Sequence, residues 1–243
     1  MTSSVSFAGA AFPVRDTFSL FRGCQPFTDS DYAAEVMADS PVGYWQMQDC
    51  GDFPQDSSGN DRDFTDYVAS PTMAYRRPGA LTHPLDKCVF LPFLSNPRRT
   101  GAVSTAVNNV TIEGWFKIKT RESSFLGSEV LFHVGASGSN GYGWYIHTDL
   151  TINVLLGGIG YGSAAADTAL TLDTWTHLVM RRNAGTWEYF KDGVADGTGG
   201  TTAPNTPSNQ VFMEITGEYS ASHIAVYETA LSDARIAAHY AAR

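Results

Sequence analysis

Residues 38–45 read ADSPVGYW, and residues 224–240 read IAVYETALSDARIAAHY. In the second stretch, Ser232 is a side chain suited to cap a helix. Ile236 and Tyr240 follow it with the four-residue spacing that places side chains on one helical face. The apolar and aromatic start of the same stretch has the composition of a strand. This stretch therefore predicts a strand that leads into a short helix.

Composition limits the fold class and the partners. The chain has 243 residues, of which 17% are charged and 23 are glycines, which favours one large domain of short strands and many turns. The net charge is −9, and no cluster of Lys and Arg stands out. We therefore predict neither a nucleic-acid partner nor a membrane partner. The first residues lack a secretion signal, and no run of apolar residues is long enough for a membrane span.

The strand pattern is clearest at residues 110–119. Apolar side chains alternate there with polar ones, which predicts a half-buried strand with one apolar face. We expect Glu113 to lie on a solvated face or at a sheet edge. Further strands are predicted at 129–134, 142–147, 151–156, 176–182, 186–191, 211–215 and 223–227. Many short strands separated by turns indicate a sandwich or jelly roll.

The start of the chain differs from the rest. Residues 28–38 are predicted to form a short helix, capped by the pair Thr28 and Asp31, with Pro41 after its end. Residues 1–27 show no steady alternation but carry Phe7, Phe12, Phe18, Phe21 and Phe27. Burying each ring would contribute roughly 1.5–3 kcal/mol, so we expect this segment to lie on a protein surface. We assign 1–30 as a docking arm for the same domain or a neighbouring subunit, and 31–243 as the sandwich.

Five pieces of the sequence, in order, resemble a laminin-G-like sandwich of the concanavalin-A type. They are residues 38–60, with ADSPVGYW and DSSGN; TIEGWFK at 111–117; DTWTHLV at 173–179; WEYFKDG at 187–193; and the stretch 224–240. The resemblance implies an all-β antiparallel β-sandwich (a concanavalin-A-like jelly roll) with short N- and C-terminal helices and an extended N-terminal arm. It also implies that the first and last strands pair, so we expect a complete module.

The opening and closing motifs are similar to those of domains in tailed-phage virion proteins, such as minor tail, fibre and head-decoration proteins. This resemblance implies a non-enzymatic structural virion component, assembled in the host cytoplasm and held by its N-terminal arm. The partners would be other virion proteins, further copies of the chain and a host-surface glycan. The alternative is a carbohydrate-binding adhesion module of a bacterial surface or secreted protein, since such sandwiches serve many functions.

Four aromatic residues lie near glycine-rich turns: Tyr142, Trp144, Tyr145 and Tyr161. Three of them, Tyr142, Trp144 and Tyr161, are our candidates for sugar binding. Flat rings can stack on the apolar face of a sugar while polar neighbours bind its hydroxyls. The alternative is that Tyr142 and Trp144 share one strand face and fill the core.

Acidic residues give one metal candidate and no catalytic pair. Asp56, Asn60 and Asp61 offer oxygen ligands for a structural calcium ion, or they form a polar turn. No other cofactor is predicted. A glucanase of this fold would need paired carboxylates in an E-x-D-x-x-E run, which the sequence lacks, and the histidines lack zinc-site spacing. We therefore predict that the chain is not an enzyme.

Overall fold

The computed structural model describes residues 30–49, 53–67, 73–92, 95–120, 129–214 and 217–243. The predicted docking residues Phe7, Phe12, Phe18, Phe21 and Phe27 lie outside these ranges. Two helices are present in the described part, α1 (Asp31–Ala38) and α2 (Asp233–Ala241). Neither is long and apolar enough to cross a membrane.

Strands predominate over helices in the described part of the chain. In chain order they are β1 (Gly43–Trp45), β2 (Asp66–Tyr67), β3 (Ala74–Pro78), β4 (Lys87–Leu91), β5 (Pro97–Thr100), β6 (Val110–Thr120), β7 (Glu129–Val134), β8 (Tyr142–Ile146), β9 (Ile152–Leu156), β10 (Gly160–Tyr161), β11 (Thr176–Asn183), β12 (Thr186–Lys191), β13 (Val194–Gly200), β14 (Gln210–Glu214) and β15 (Glu218–Tyr227). The predicted strands are confirmed, and several differ from the prediction by only one or two residues at their ends.

The described strands form two antiparallel sheets. Sheet A has the order β13-β12-β11-β6-β15-β4-β3, and β1 also pairs with β15. Sheet B has the order β10-β9-β8-β7-β14-β5-β2. The pairing of β1 with β15, in the register Gly43 to Val226, joins the first described strand to the last. The predicted antiparallel sandwich with closing end strands is therefore confirmed.

The main core lies between the two sheets. Its largest members include Trp45, Trp144 and Trp187, all fully buried. Phe116 of sheet A meets Trp144 of sheet B with ring centroids 5.2 Å apart, in an edge-to-face arrangement that aromatic pairs favour. Contacts of this kind fix the two sheets face to face.

A second apolar cluster lies on the outer face of sheet A, beneath α1 and α2. It includes Tyr32, Trp115, Tyr227 and Ile236, each nearly or fully buried. Ser232 caps α2 as predicted, because its side chain accepts a hydrogen bond from the Arg235 amide.

The start of α1 corrects one prediction. The predicted helix is 28–38, whereas α1 begins at Asp31 and its cap is Ser30, whose hydroxyl accepts from the Ala33 amide at 3.1 Å. The serine hydroxyl satisfies an otherwise free amide of the first turn, and Thr28 of the predicted capping pair lies outside the described residues.

The environment of β6 corrects a second prediction. Its side chains from Val110 to Phe116 are buried on both faces, and Glu113 is fully buried rather than solvated. The alternation does place Glu113 on the outer face of sheet A, but the two helices cover that face. A buried carboxylate needs partners, and this one obtains them from α2 and the neighbouring strands.

Candidate functional site

An aromatic patch lies on the outer face of sheet B and consists of Tyr145, His147 and Tyr161. The rings of Tyr145 and Tyr161 are 4.3 Å apart between centroids and 36° from coplanar. The His147 ring meets the edge of Tyr145 at 4.8 Å. Tyr161 is 48% exposed, whereas Tyr145 beneath it is 6% exposed. The patch thus presents one accessible ring on a supporting ring.

Strand alternation explains how the sequence builds this patch. Tyr142, Trp144 and Ile146 of β8 face the core, so Tyr145 between them faces outward. A glycine-rich turn after β9 then returns the chain and pairs Tyr161 of β10 with Leu155. Gly158 and Gly160 in this turn have positive φ angles of 73° and 135°, which side chains other than glycine rarely adopt.

Burial separates the three residues that the sequence proposed for sugar binding. Tyr142 and Trp144 have no exposed surface and belong to the main core, so their rings cannot stack on a sugar. This corrects their candidate role and agrees with the alternative that they fill the core. Tyr161 is accessible. Tyr145 lies near the same turns but was not among the three candidates, although the inward position of Trp144 implies that Tyr145 points outward. His147 was missed.

The polar groups beside the patch are arranged by local hydrogen bonds. The Asn153 side chain donates to the Gly162 carbonyl at 3.1 Å and accepts from the Tyr189 hydroxyl at 2.7 Å. The exposed Asp149 carboxylate accepts from the Thr151 hydroxyl and amide, and these bonds lower the pKa of Asp149. Asp149 therefore offers a charged acceptor in the turn between β8, which carries Tyr145, and β9, which carries Asn153.

One row of residues, each paired with the next across neighbouring strands, crosses the rest of the outer face of sheet B. From the patch it runs through Tyr161, Leu155, Gly143, His133, Phe212, Arg98 and Asp66. At the far end, Arg98 and Asp66 form a half-exposed ion pair at 2.8 Å. In the middle, burial lowers the pKa of His133 to about 4, so this ring is neutral at pH 7. The face is therefore aromatic at one end, apolar in the middle and ionic at the other end.

The outer face of sheet A holds a different constellation, here called the helix-side network: Glu113, His177, Tyr227, His239, Tyr32, Asp39 and Arg235. Glu113 lies at its centre. It accepts from His239 Nδ1 at 3.0 Å, from His177 Nε2 at 3.2 Å and from the Tyr227 hydroxyl. Burial alone would raise the pKa of Glu113, but the two histidines outweigh burial and hold this pKa well below its usual value.

A second buried group of polar side chains lies next to this network. His223 sits at a bulge in β15 with a φ of 50°, which turns its ring toward β1. Its Nδ1 accepts from the Tyr44 hydroxyl at 2.7 Å, and its Nε2 donates to Asp86 at 2.9 Å. Sequence spacing could not reveal either group, because its members come from distant parts of the chain.

The acidic segment proposed for calcium forms a turn. The Asp56 carboxylate accepts from the amides of Tyr44, Ser58 and Arg62 and from the Ser58 hydroxyl. Asn60 donates to the Ser58 hydroxyl at 3.0 Å, and Asp61 has a positive φ of 54°. Within the described ranges, no group of three or more His, Cys, Asp or Glu side chains could hold a metal ion. These hydrogen bonds build a polar turn, and calcium binding by Asp56, Asn60 and Asp61 stays a prediction.

The family comparison agrees with this architecture. Residues 96–237, more than half of the chain, match the family described as the Concanavalin A-like lectin/glucanases superfamily. The chain belongs to this superfamily. A search of the curated proteins found no match.

Solved structures similar to this superfamily member share its fold at low sequence identity. The binding domain of Paraclostridial Mosquitocidal Protein 1 has a TM-score of 0.64 and 14% identity, over 84% of this chain and 52% of that one. The botulinum neurotoxin type G receptor binding domain has a TM-score of 0.61 and 12% identity, over 83% and 51%. The chain therefore spans about half the length of these toxin domains.

A third similar structure has nearly the same length as the matched region. It is domain 4 of AbnA, an extracellular GH43 arabinanase from Geobacillus stearothermophilus, in complex with arabinotriose. Its TM-score is 0.61 at 15% identity, over 83% of this chain and 98% of that one. At this identity the likeness establishes the jelly-roll fold alone.

Proposed function

We propose that this chain is a non-enzymatic carbohydrate-binding domain that contacts its sugar through the aromatic patch of Tyr145, His147 and Tyr161. The observation that carries the proposal is the 48% exposure of Tyr161 on a ring that Tyr145 supports from below. A supported, accessible ring buries the apolar face of a sugar at little cost in side-chain entropy.

The polar surroundings complete a site for a hydroxyl-rich ligand. The Tyr161 hydroxyl can donate and accept, and Asp149 is an exposed acceptor in the adjoining turn. Because the negative charge of the Asp149 carboxylate would repel an anionic ligand, we propose that the sugar is neutral. The arabinanase domain with bound arabinotriose shares the fold, which supports a neutral oligosaccharide as the ligand class.

The non-enzymatic part of the proposal rests on the carboxylates. Glycoside hydrolysis in its usual form needs two carboxyl groups on opposite sides of the scissile bond. Glu113 has no exposed surface and is enclosed by histidines and Tyr227, so it cannot reach a substrate. The sequence also lacks the paired-carboxylate run of glucanases.

The experiment is a glycan array of neutral and acidic oligosaccharides, including arabino-oligosaccharides, followed by calorimetry with each hit. We expect neutral oligosaccharides to bind and Tyr161→Ala to weaken binding roughly tenfold, equivalent to about 1.4 kcal/mol. Leu172→Ala is the control, because Leu172 is 44% exposed and lies outside the patch. An array without signal, or equal affinity of Tyr161→Ala and the unchanged protein, would overturn the proposal.

We also propose that the sandwich serves as a structural component of a tailed-phage virion, held by residues 1–30. Its support is the resemblance of the motifs at 38–45 and 224–240 to virion domains, together with the five phenylalanines before the sandwich. Its partners would be other virion proteins and further copies of this chain. The test is deletion of residues 1–27, which should prevent entry into particles. Normal incorporation would contradict the anchoring role, and display on bacterial cells without any particle would favour the adhesion-module alternative.

A further inference from the structure

His239 of α2 bridges two carboxylates that belong to different parts of the fold. Its Nδ1 lies 3.0 Å from both oxygens of Glu113 on β6. Its Nε2 lies 2.9 Å from Asp39 Oδ2, directly after α1. One ring thus joins both helices to sheet A.

The two contacts determine the charge of this ring. A carboxylate at either side only accepts, so each ring nitrogen must carry a proton to make a hydrogen bond. A ring with protons on both nitrogens is an imidazolium cation. Arg235 Nη2 also lies 3.4 Å from Nε2, but the contact to Asp39 is shorter and would place two lone pairs against each other if Nε2 had no proton.

The balance of the groups that face His239 favours a positive charge on its ring. Glu113 comes from β6, Tyr227 from β15, Tyr32 from α1, Asp39 from the end of α1, and Arg235 from α2. Behind these groups, His177 of β11 shares the Glu113 carboxylate, and Glu35 pairs with Arg235. The ordinary cation among them, Arg235, is neutralised by Asp39 and Glu35. Burial lowers the pKa of His239, but the bonds and charges of Glu113 and Asp39 outweigh burial and raise it overall.

The neighbouring His223 provides an internal contrast. One of its ring nitrogens faces a carboxylate, Asp86, and the other faces the Tyr44 hydroxyl, which can donate. Gln48 Nε2 also lies 3.3 Å from His223 Nε2, but it donates to Asp86 at 2.9 Å. A neutral ring therefore satisfies the contacts of His223. Of these two buried histidines, His239 is the one whose contacts require the charged form.

We propose that His239 is a proton-linked clasp, whose charged form holds α1 and α2 on the outer face of sheet A and whose deprotonation loosens both helices. A neutral ring can donate to Glu113 or to Asp39, but not to both. The start of α2 does not depend on this proton, because Arg181 donates to the Leu231 carbonyl and pairs with Asp233 at 2.7 Å. Loosening should therefore begin at the end of α2 and at the junction of α1 with Asp39. This proposal is independent of sugar binding.

The direction of the pH effect follows from the raised pKa. A group with a higher pKa in the folded state stabilises fully below its unfolded value, about 6.5 for histidine, and this stabilisation is lost as the pH rises through the folded pKa. Glu113, with its lowered pKa, contributes fully above the ordinary Glu value, and this contribution is lost progressively as the pH falls below that value. The helices should be held most firmly between about pH 4.3, the ordinary value for Glu, and pH 6.5.

The first test observes the ring directly in the full-length protein. Long-range nitrogen NMR spectra of the histidines should show both His239 nitrogens protonated at pH 7, with a titration midpoint above the ordinary value of about 6.5. A neutral ring at pH 7, or a midpoint at or below that value, would overturn the proposal.

The second test measures the consequence for the helices. Between the unfolded and folded pKa values, one linked proton makes the unfolding constant rise by up to about tenfold per pH unit. His239→Gln should remove this part of the slope in urea unfolding, whereas His83→Gln, in an exposed loop, should retain it. Amide exchange, corrected for its intrinsic pH dependence, should accelerate in α1 and α2 but not in β7 as the pH rises. The clasp would be contradicted if the unfolding constants of the unchanged protein, His239→Gln and His83→Gln had equal slopes against pH. Unchanged amide exchange in α1 and α2 would also contradict it.

Discussion

The outer face of sheet A is covered by two helices, whereas the outer face of sheet B presents a tyrosine that is 48% exposed. The covered face holds Glu113 and His239 without any exposed side-chain surface, and their groups are satisfied by one another. The patch on sheet B combines an accessible ring with polar neighbours. The comparison teaches that the buried titratable groups of the covered face serve the cohesion of the fold, whereas the exposed aromatic patch is the surface that we propose for recognition.

The largest effect expected on the covered face comes from Glu113→Ala. It removes the shared acceptor of His177, His239 and Tyr227, and losing one member of a buried charged pair costs about 3–5 kcal/mol. Urea unfolding measures this loss. The control is Glu218→Ala, whose pair with Lys119 is largely solvated and should contribute below about 1 kcal/mol. If the two variants lost similar free energies of unfolding, Glu113 would not be the buried acceptor that His177, His239 and Tyr227 share.

A pair of aromatic substitutions sharpens the difference between core and patch. Trp144→Ala should destabilise the fold by about 3–5 kcal/mol, because it leaves a cavity between the sheets. Tyr161→Ala should change stability by less than about 1 kcal/mol, since the ring is half exposed. Thermal and urea unfolding of both variants test this. A marginal Trp144→Ala effect would place that ring outside the core and reopen its candidate role in sugar binding.

The smallest effect concerns calcium. Because four donors already occupy the Asp56 carboxylate, we expect the same melting temperature in saturating calcium and in chelator. Asp56→Ala should lower the melting temperature equally in both conditions, through loss of the turn. A rise with calcium that Asp56→Ala abolishes would instead support the metal site.

The direction of side chains on a strand was predictable from the sequence, whereas their burial by other elements was not. Alternation in β6 correctly placed Glu113 opposite the apolar face of that strand, but its burial depends on α2, more than a hundred residues later. The same rule, applied to β8, favours Tyr145 over Trp144 as the outward-facing ring. Spacing motifs could not reveal the contacts of His177, His223 and His239, because the fold brings them together around Tyr32.

Short edge strands were also beyond the sequence pattern. Asp66–Tyr67 and Pro97–Thr100 pair with each other at the edge of sheet B. They have too few residues for a period-two signal, and Pro97 argues against a strand interior. Tertiary pairing rather than local preference makes them strands, so only the surrounding framework was predictable.

The most direct measurement of the central claim maps the ligand site on the labelled protein. Amide and aromatic NMR shifts would be recorded during titration with the strongest neutral oligosaccharide from the array. The account predicts that the changes concentrate on β8, the turn at Asp149, and β10, with Tyr161 the most affected ring. Changes centred on α1 and α2, or on the Arg98 and Asp66 end of sheet B, would contradict it.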